Sequence, residues 1–117
     1  MTYLVVALGG AIGAGLRFWV SQFVAFPYGT MIVNIVGSFI MGLAFVGFAA
    51  RFGERLPVFF MTGLLGAFTT YSAFSLDVYK LLDAGRVGLA MAYITTTLGG
   101  AILALVLGVF VMRSIMQ

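Results

Sequence analysis

The sequence predicts an all-α membrane protein with four transmembrane helices per subunit, and three observations carry that prediction. Of its 117 residues, 63% are hydrophobic and only 8% are charged, whereas soluble domains are about half apolar and roughly a quarter charged. A soluble domain of this size leaves a large share of its surface wet, and so few charges do not cover it. The charged residues cut the chain into long uncharged stretches that, once the longest is divided at a turn, supply four spans of roughly the 20 residues that a membrane helix needs. Finally, the apolar runs are continuous rather than alternating, which argues against a β-barrel.

The nine charged residues are Arg17, Arg51, Glu54, Arg55, Asp77, Lys80, Asp83, Arg86 and Arg113. Between them lie uncharged stretches at 1–16, 18–50, 56–76 and 87–112. The second of these has 33 residues, too many for one span, and Pro27-Tyr28-Gly29 inside it marks a turn. The first span is therefore expected at about 3–25 and the second at about 30–50. The third is expected at about 57–83 and the fourth at about 87–113. Connections at Phe26–Gly29, Arg51–Leu56 and Ala84–Arg86 are short, so sequence neighbours run antiparallel. The whole chain, 1–117, reads as a single transmembrane domain with no room for a soluble one.

The N-terminal stretch has no basic n-region, and its apolar run passes Arg17 without a small-residue cleavage site, so it reads as a span rather than a signal peptide. Orientation follows from the Lys/Arg balance of the loops. With the N-terminus inside, Arg51, Arg55 and Arg113 face Lys80, Arg86 and, if it belongs to the outer end, Arg17. That balance is nearly even. A chain so undecided is expected to insert both ways, and two opposed copies then form an antiparallel, dual-topology homodimer.

Polar groups at membrane depth are costly and turn toward protein, so function is sought there. Asn34 stands near the start of the second span, with Ser38 one turn on. It is either a neutral donor facing a permeation path or one half of a helix–helix hydrogen bond. The third span carries Gly63 and Gly66, then Thr69, Thr70, Ser72 and Ser75. Such a run makes a poor uninterrupted helix. It reads either as a helix broken near its middle, with freed backbone groups at the midplane, or as a small-residue packing face. Tyr71 and Phe74 are three apart and share a face. Their positive ring edges suit a small anion, and ordinary core packing is the alternative. In the fourth span, Thr95, Thr96 and Thr97 precede Gly99 and Gly100, offering hydroxyls and a close-packing surface.

Absences narrow the function further. The chain has no His and no Cys, which removes thiol chemistry, disulfides and the usual soft metal sites. A net charge of +3 is explained by span ends, so no nucleic-acid partner is expected. No acidic residue precedes Glu54, so the first two spans carry no carboxylate for proton coupling. Asp77 lies within one turn of Lys80 and reads as an end-of-span pair. Serine and threonine are plentiful but lack a base of suitable pKa, so no enzyme is expected. A neutral lining fits passive movement of an anion.

Three segments in order resemble the Fluc/CrcB family of fluoride-specific channels over essentially the whole chain. The run from Gly9 to Trp19 resembles the family's Gly-rich first helix, ending in Arg17 and Trp19. Gly29-Thr30-Met31-Ile32-Val33-Asn34 resembles its Gly-Thr-x-x-x-Asn entry to the second helix. The stretch from Gly66 to Ser75 resembles its run at a break in the third helix.

The resemblance implies a dual-topology homodimer in the bacterial inner membrane, with two pores along the subunit interface that export toxic fluoride passively. It implies a structural Na⁺ at the dimer centre, held by the backbone carbonyls of Gly66 and Thr69 from each subunit. It places Asn34 in the pore as a donor to fluoride and Tyr71 and Phe74 at the two aromatic positions. Ser75 and Thr97 follow as lesser polar contributors, and Arg17 as an anion attractor at the vestibule or a snorkelling anchor. Tyr71 stands where the family usually has Phe, Ala73 where it has Thr, Ala67 where it has Gly, Phe68 where it has Leu and Asp77 where Glu is common. Two other classes remain open from residues alone: a small proton-coupled multidrug exporter, for which the first span lacks a Glu, and a non-transporting membrane scaffold.

Overall fold

The computed structural model describes residues 2–49 and 55–117. Among the described residues, four helical stretches are long and apolar enough to cross a membrane: Thr2–Ser21, Tyr28–Phe48, Val58–Asp83 and Val87–Met116. We number the helices α1 (Thr2–Ser21), α2 (Tyr28–Ala49), α3 (55–68), α4 (Tyr71–Asp83) and α5 (Val87–Met116). The connection expected at 51–56 falls mostly outside the described residues, as do Arg51 and Glu54.

The first helix stops at Ser21 rather than near 25. Its last turn tightens, with Gln22 N–H donating to Trp19 O at 3.1 Å and Phe23 N–H to Val20 O at 3.0 Å. Tyr28 N–H then donates to Ala25 O at 2.9 Å, folding residues 22–27 into a turn that contains a cis Phe26–Pro27 bond. Hydropathy continues through this turn although helix does not, because apolar side chains do not prevent a chain from turning. At the other end of the sequence, α5 runs to Met116, past Arg113. A cation in a last helical turn faces the negative end of the helix dipole and has no reason to end it.

The third span is the least regular. Residues 55–57 form one α-turn, Val58–Leu65 widen into a π-helix, and Gly66–Phe68 return to α geometry. The Gly66 N–H reaches back to Met61 O and Gly63 O, consistent with that wide turn. Thr69 and Thr70 are then extended, with ψ of 153° and 129°, before α4 begins at Tyr71. Thr70 caps α4, its hydroxyl accepting from Ala73 N–H at 3.2 Å.

Two close helix pairs frame the molecule: α2 with α5, and α1 with α3. Both rest on glycine. A Cβ on Gly42 would strike Leu105 O of α5, and one on Gly108 would strike Phe39 O of α2. A Cβ on Gly13 would likewise strike Leu64 O of α3. Lipid tails are as apolar as leucine, so membrane helices associate through such close backbone approach rather than by expelling water. The buried core is correspondingly small, built around Phe74, Leu81, Ala90 and Tyr93 where α4 meets α5. Most large apolar side chains point outward, among them Leu8, Ile12, Phe45, Ile102 and Phe110. That outward face suits hydrocarbon. The molecule is a slab of 49 × 33 × 20 Å.

Asp77 corrects the end-of-span expectation. It is only 8% exposed and accepts a hydrogen bond from Tyr93 Oη at 3.0 Å. Phe74, Asp77 and Leu81 are the buried positions of α4, spaced by three and four residues, so the helix turns Asp77 inward with its core. Lys80 leaves on another face, with Nζ 5.6 Å from the centre of the Phe26 ring.

Candidate functional site

The extended backbone at Thr69–Thr70 ends the helical ladder after the Thr69 N–H, and the backbone groups that follow need other partners. Asn34, buried on α2, meets Thr70 with both ends of its amide. Its Oδ1 accepts from Thr70 N–H at 2.8 Å, and its Nδ2 donates to Thr70 O at 3.0 Å. Leu65 O accepts both from Thr69 N–H at 3.1 Å and from Thr69 Oγ1 at 3.0 Å. Arg17 of α1 donates through Nε to Ala67 O at 3.2 Å. Among the described residues, no hydrogen bond outside the helical ladders ends on the carbonyls of Gly66 or Thr69. The approach of α2 here depends on Gly37, where a Cβ would strike the Thr69 methyl.

Beside this segment lies an open groove of about 340 Å³. Asn34 and Ser38 line it from α2, Gly66 and Thr69–Thr70 from the third span, Tyr71 and Phe74 from α4, and Thr97 with Leu98, Ala101 and Ile102 from α5. No charged side chain is among them. Thr97 is 3% exposed, and its Oγ1 has no hydrogen-bond partner among the described residues. A buried hydroxyl left without a partner costs about 1–3 kcal/mol, so one carried by a residue on the groove wall is informative. Asn34 also keeps a second Nδ2 hydrogen beyond the one given to Thr70. A larger cleft of about 610 Å³ between α2, α3 and α5 is lined, among the described residues, by apolar side chains and Gly47.

The two aromatic positions differ in surroundings. Phe74 is buried, whereas Tyr71 is 74% exposed. Their rings still meet edge to face, with centroids 5.7 Å apart. Six of the eight expected site residues (Asn34, Gly66, Thr69, Tyr71, Phe74 and Thr97) line the groove. Ser75 is exposed on α4 and Arg17 sits half-buried on α1, and neither lines it. Tyr93, stacked on Phe74 with centroids 5.4 Å apart, escaped sequence reasoning altogether. Nothing in the spacing links position 93 to positions 74 and 77 on another helix.

The sequence matches the family model described as CrcB-like protein, Camphor Resistance (CrcB), over residues 4–109. The chain belongs to the CrcB family. Among its curated relatives is a protein of Cereibacter sphaeroides (strain ATCC 17029 / ATH 2.4.9) named "Fluoride-specific ion channel FluC". It is 47% identical over 116 residues, which cover 94% of this chain and 93% of that protein. Proteins of the same name from Chelativorans sp. (strain BNC1) and Ruegeria sp. (strain TM1040) are 43% and 46% identical. Those matches cover 97% and 99% of this chain, and 97% and 98% of the respective relatives. These CrcB-family relatives are named as ion channels, not as enzymes, and the four apolar helices make this member a multi-pass membrane protein.

Proposed function

We propose that this chain is a fluoride channel, giving the toxic anion a passive way out of the cytoplasm across a bacterial inner membrane. The observation that carries the proposal is the neutral groove. The second Asn34 N–H, the unpartnered Thr97 hydroxyl and the Phe74 ring converge there without a charged side chain. A channel must replace part of an ion's hydration without holding it, and neutral donors and positive ring edges do that where a fixed cation would trap fluoride. The name that the relatives carry, fluoride-specific ion channel, supports the same substrate.

The complete pore, in this reading, forms between two copies of opposite orientation. The near-even balance of basic residues permits both insertions, and the groove opens to the outside of a thin slab. Each dimer then has two pores, lined by Asn34, Tyr71, Phe74 and Thr97. Ser75 joins along the path, and Arg17 lends its charge at the vestibule.

A structural Na⁺ fits the donor set. The Gly66 and Thr69 carbonyls accept no hydrogen bond outside the helical ladders among the described residues, and hard cations prefer such oxygens. One copy offers two of them, too few to enclose a cation, so a second copy would bring its own pair. When bound, the ion would join the two broken third spans electrostatically. The chain's own residues do the rest: Asn34 holds Thr70 extended, and Arg17 holds Ala67.

The test is efflux from proteoliposomes read with a fluoride electrode, with chloride as the control anion. Fluoride release without chloride release is expected. Absence of fluoride release, or equal release of chloride, refutes the proposal. Because the chain has no Cys, a single cysteine introduced at Gly88 reports orientation in spheroplasts. About half the copies should react with a membrane-impermeant thiol reagent if both orientations are inserted.

A further inference from the structure

The groove's one buried aromatic ring is held from behind by a device that the proposed pore does not itself use. Phe74 is 6% exposed and Tyr93 1%. The Tyr93 ring lies against the Phe74 ring at 28° and 5.4 Å, while its hydroxyl donates to Asp77 Oδ2 at 3.0 Å. Phe74 and Asp77 are three apart on one face of α4, so Tyr93 of α5 is pinned to that helix at two points. Stacking alone leaves a ring pair free to slide, because offset arrangements over a range of distances are similar in energy. The hydroxyl bond to a carboxylate on the same helix removes that freedom. Asp77 meets no cation within ion-pair distance among the described residues, and Lys80 is turned to Phe26. A carboxylate kept inside a span without a countercharge is costly, and a functional role is the default reading of such a group.

We propose that Tyr93, clamped by Asp77, is a positioning residue that fixes the tilt of Phe74 and so the direction in which its ring edge enters the groove. The role rests on the fluoride-channel reading, since tilt matters only if the edge meets an anion. Tyr93 is not among the residues that line the groove, so in this reading it acts on the conducted ion through Phe74. The side chain of Asp77 acts as a hydrogen-bond acceptor rather than as a charge.

The experiment combines efflux with a local probe. 4-Fluorophenylalanine is placed at position 74, its fluorine resonance is recorded in micelles, and fluoride efflux is measured for the same variants without the label. Tyr93→Leu removes both ring and hydroxyl. It is expected to broaden or shift the resonance and to slow fluoride efflux by roughly tenfold, since a misplaced group loses much of its effect at the site it serves. Tyr93→Phe keeps the stack but frees the ring, and falls between the two. Asp77→Asn keeps an acceptor for the hydroxyl, so its resonance should stay in place and its efflux within about threefold of wild type. In a Phe74→Ile background, Tyr93→Leu should slow efflux no further, because the ring it positions is gone. A normal resonance and efflux in Tyr93→Leu overturn the proposal. So does an Asp77→Asn variant that loses efflux with its resonance unmoved, which would assign the role to the charge. A wild-type protein that releases no fluoride, yet shows the expected resonance changes, supports the clamp and refutes the channel reading instead.

Discussion

The side-chain amide of Asn34 pairs with both backbone groups of Thr70, accepting from its N–H at 2.8 Å and donating to its carbonyl at 3.0 Å. Of the two roles the sequence left open for Asn34, the structure shows the hydrogen bond to a neighbouring span. It makes the hydrogen bond that ties α2 to the third span, and, on the reading proposed above, its second amide hydrogen is left to serve the pore.

Asn34→Asp separates these roles. A carboxylate can still accept from Thr70 N–H, but it has no donor for Thr70 O and places a negative charge at the groove. Fluoride efflux should fall to the background of empty liposomes. Thermal stability in detergent should fall as well, since an unmet buried carbonyl costs about 1–3 kcal/mol. Efflux at the wild-type rate would remove Asn34 from the path.

Phe74→Ile retains an apolar group of helix-compatible size but has no ring edge. Efflux should slow about tenfold or more, because an interaction made at the reacting geometry is lost. The elution volume on size exclusion should not change. An unchanged rate would mean that the ring edge is not used.

Arg17 is tied to the third span through Nε and Ala67 O. Replacement by Leu removes a charge-assisted bond worth about 1.5–3 kcal/mol, so the melting temperature should fall. Arg17→Lys should not restore it, because an ammonium lacks the planar Nε–H that makes the contact. Full recovery of the melting temperature by lysine would show that charge alone matters at this position.

The glycines between α2 and α5 make a stability prediction independent of conduction. Gly42→Val forces a side chain onto Leu105 O and should destabilise by about 1–3 kcal/mol or more. Gly88→Ala has open space around its Cβ and should be neutral or slightly stabilising, by about 0.5–1 kcal/mol. Reversible unfolding in mixed micelles distinguishes the two. Equal stabilities would mean that α2 and α5 do not approach so closely.

Much of this protein could be read before any coordinates. The four spans were legible because lipid offers no hydrogen bonds, so each crossing must satisfy its own backbone, and that is a local requirement written in continuous apolar runs. Their ends were less so. The first helix stops four residues before its apolar run does, since Ser21 begins a turn that hydropathy cannot register. Asp77 was misread for a related reason: proximity to Lys80 along the chain suggested a pair, but the helix points the two side chains in different directions.

By itself, then, the sequence determined the class of solvent, the number of crossings and the polar residues from which a site could be built. Only tertiary structure decided which of those residues meet. Asn34 and Thr70 are separated by 36 positions, Arg17 and Ala67 by 50, and Tyr93 and Asp77 by 16. Each pair lies across two helices, and their contact depends on how the helices rotate and how near glycine lets them come, which no spacing within one helix encodes.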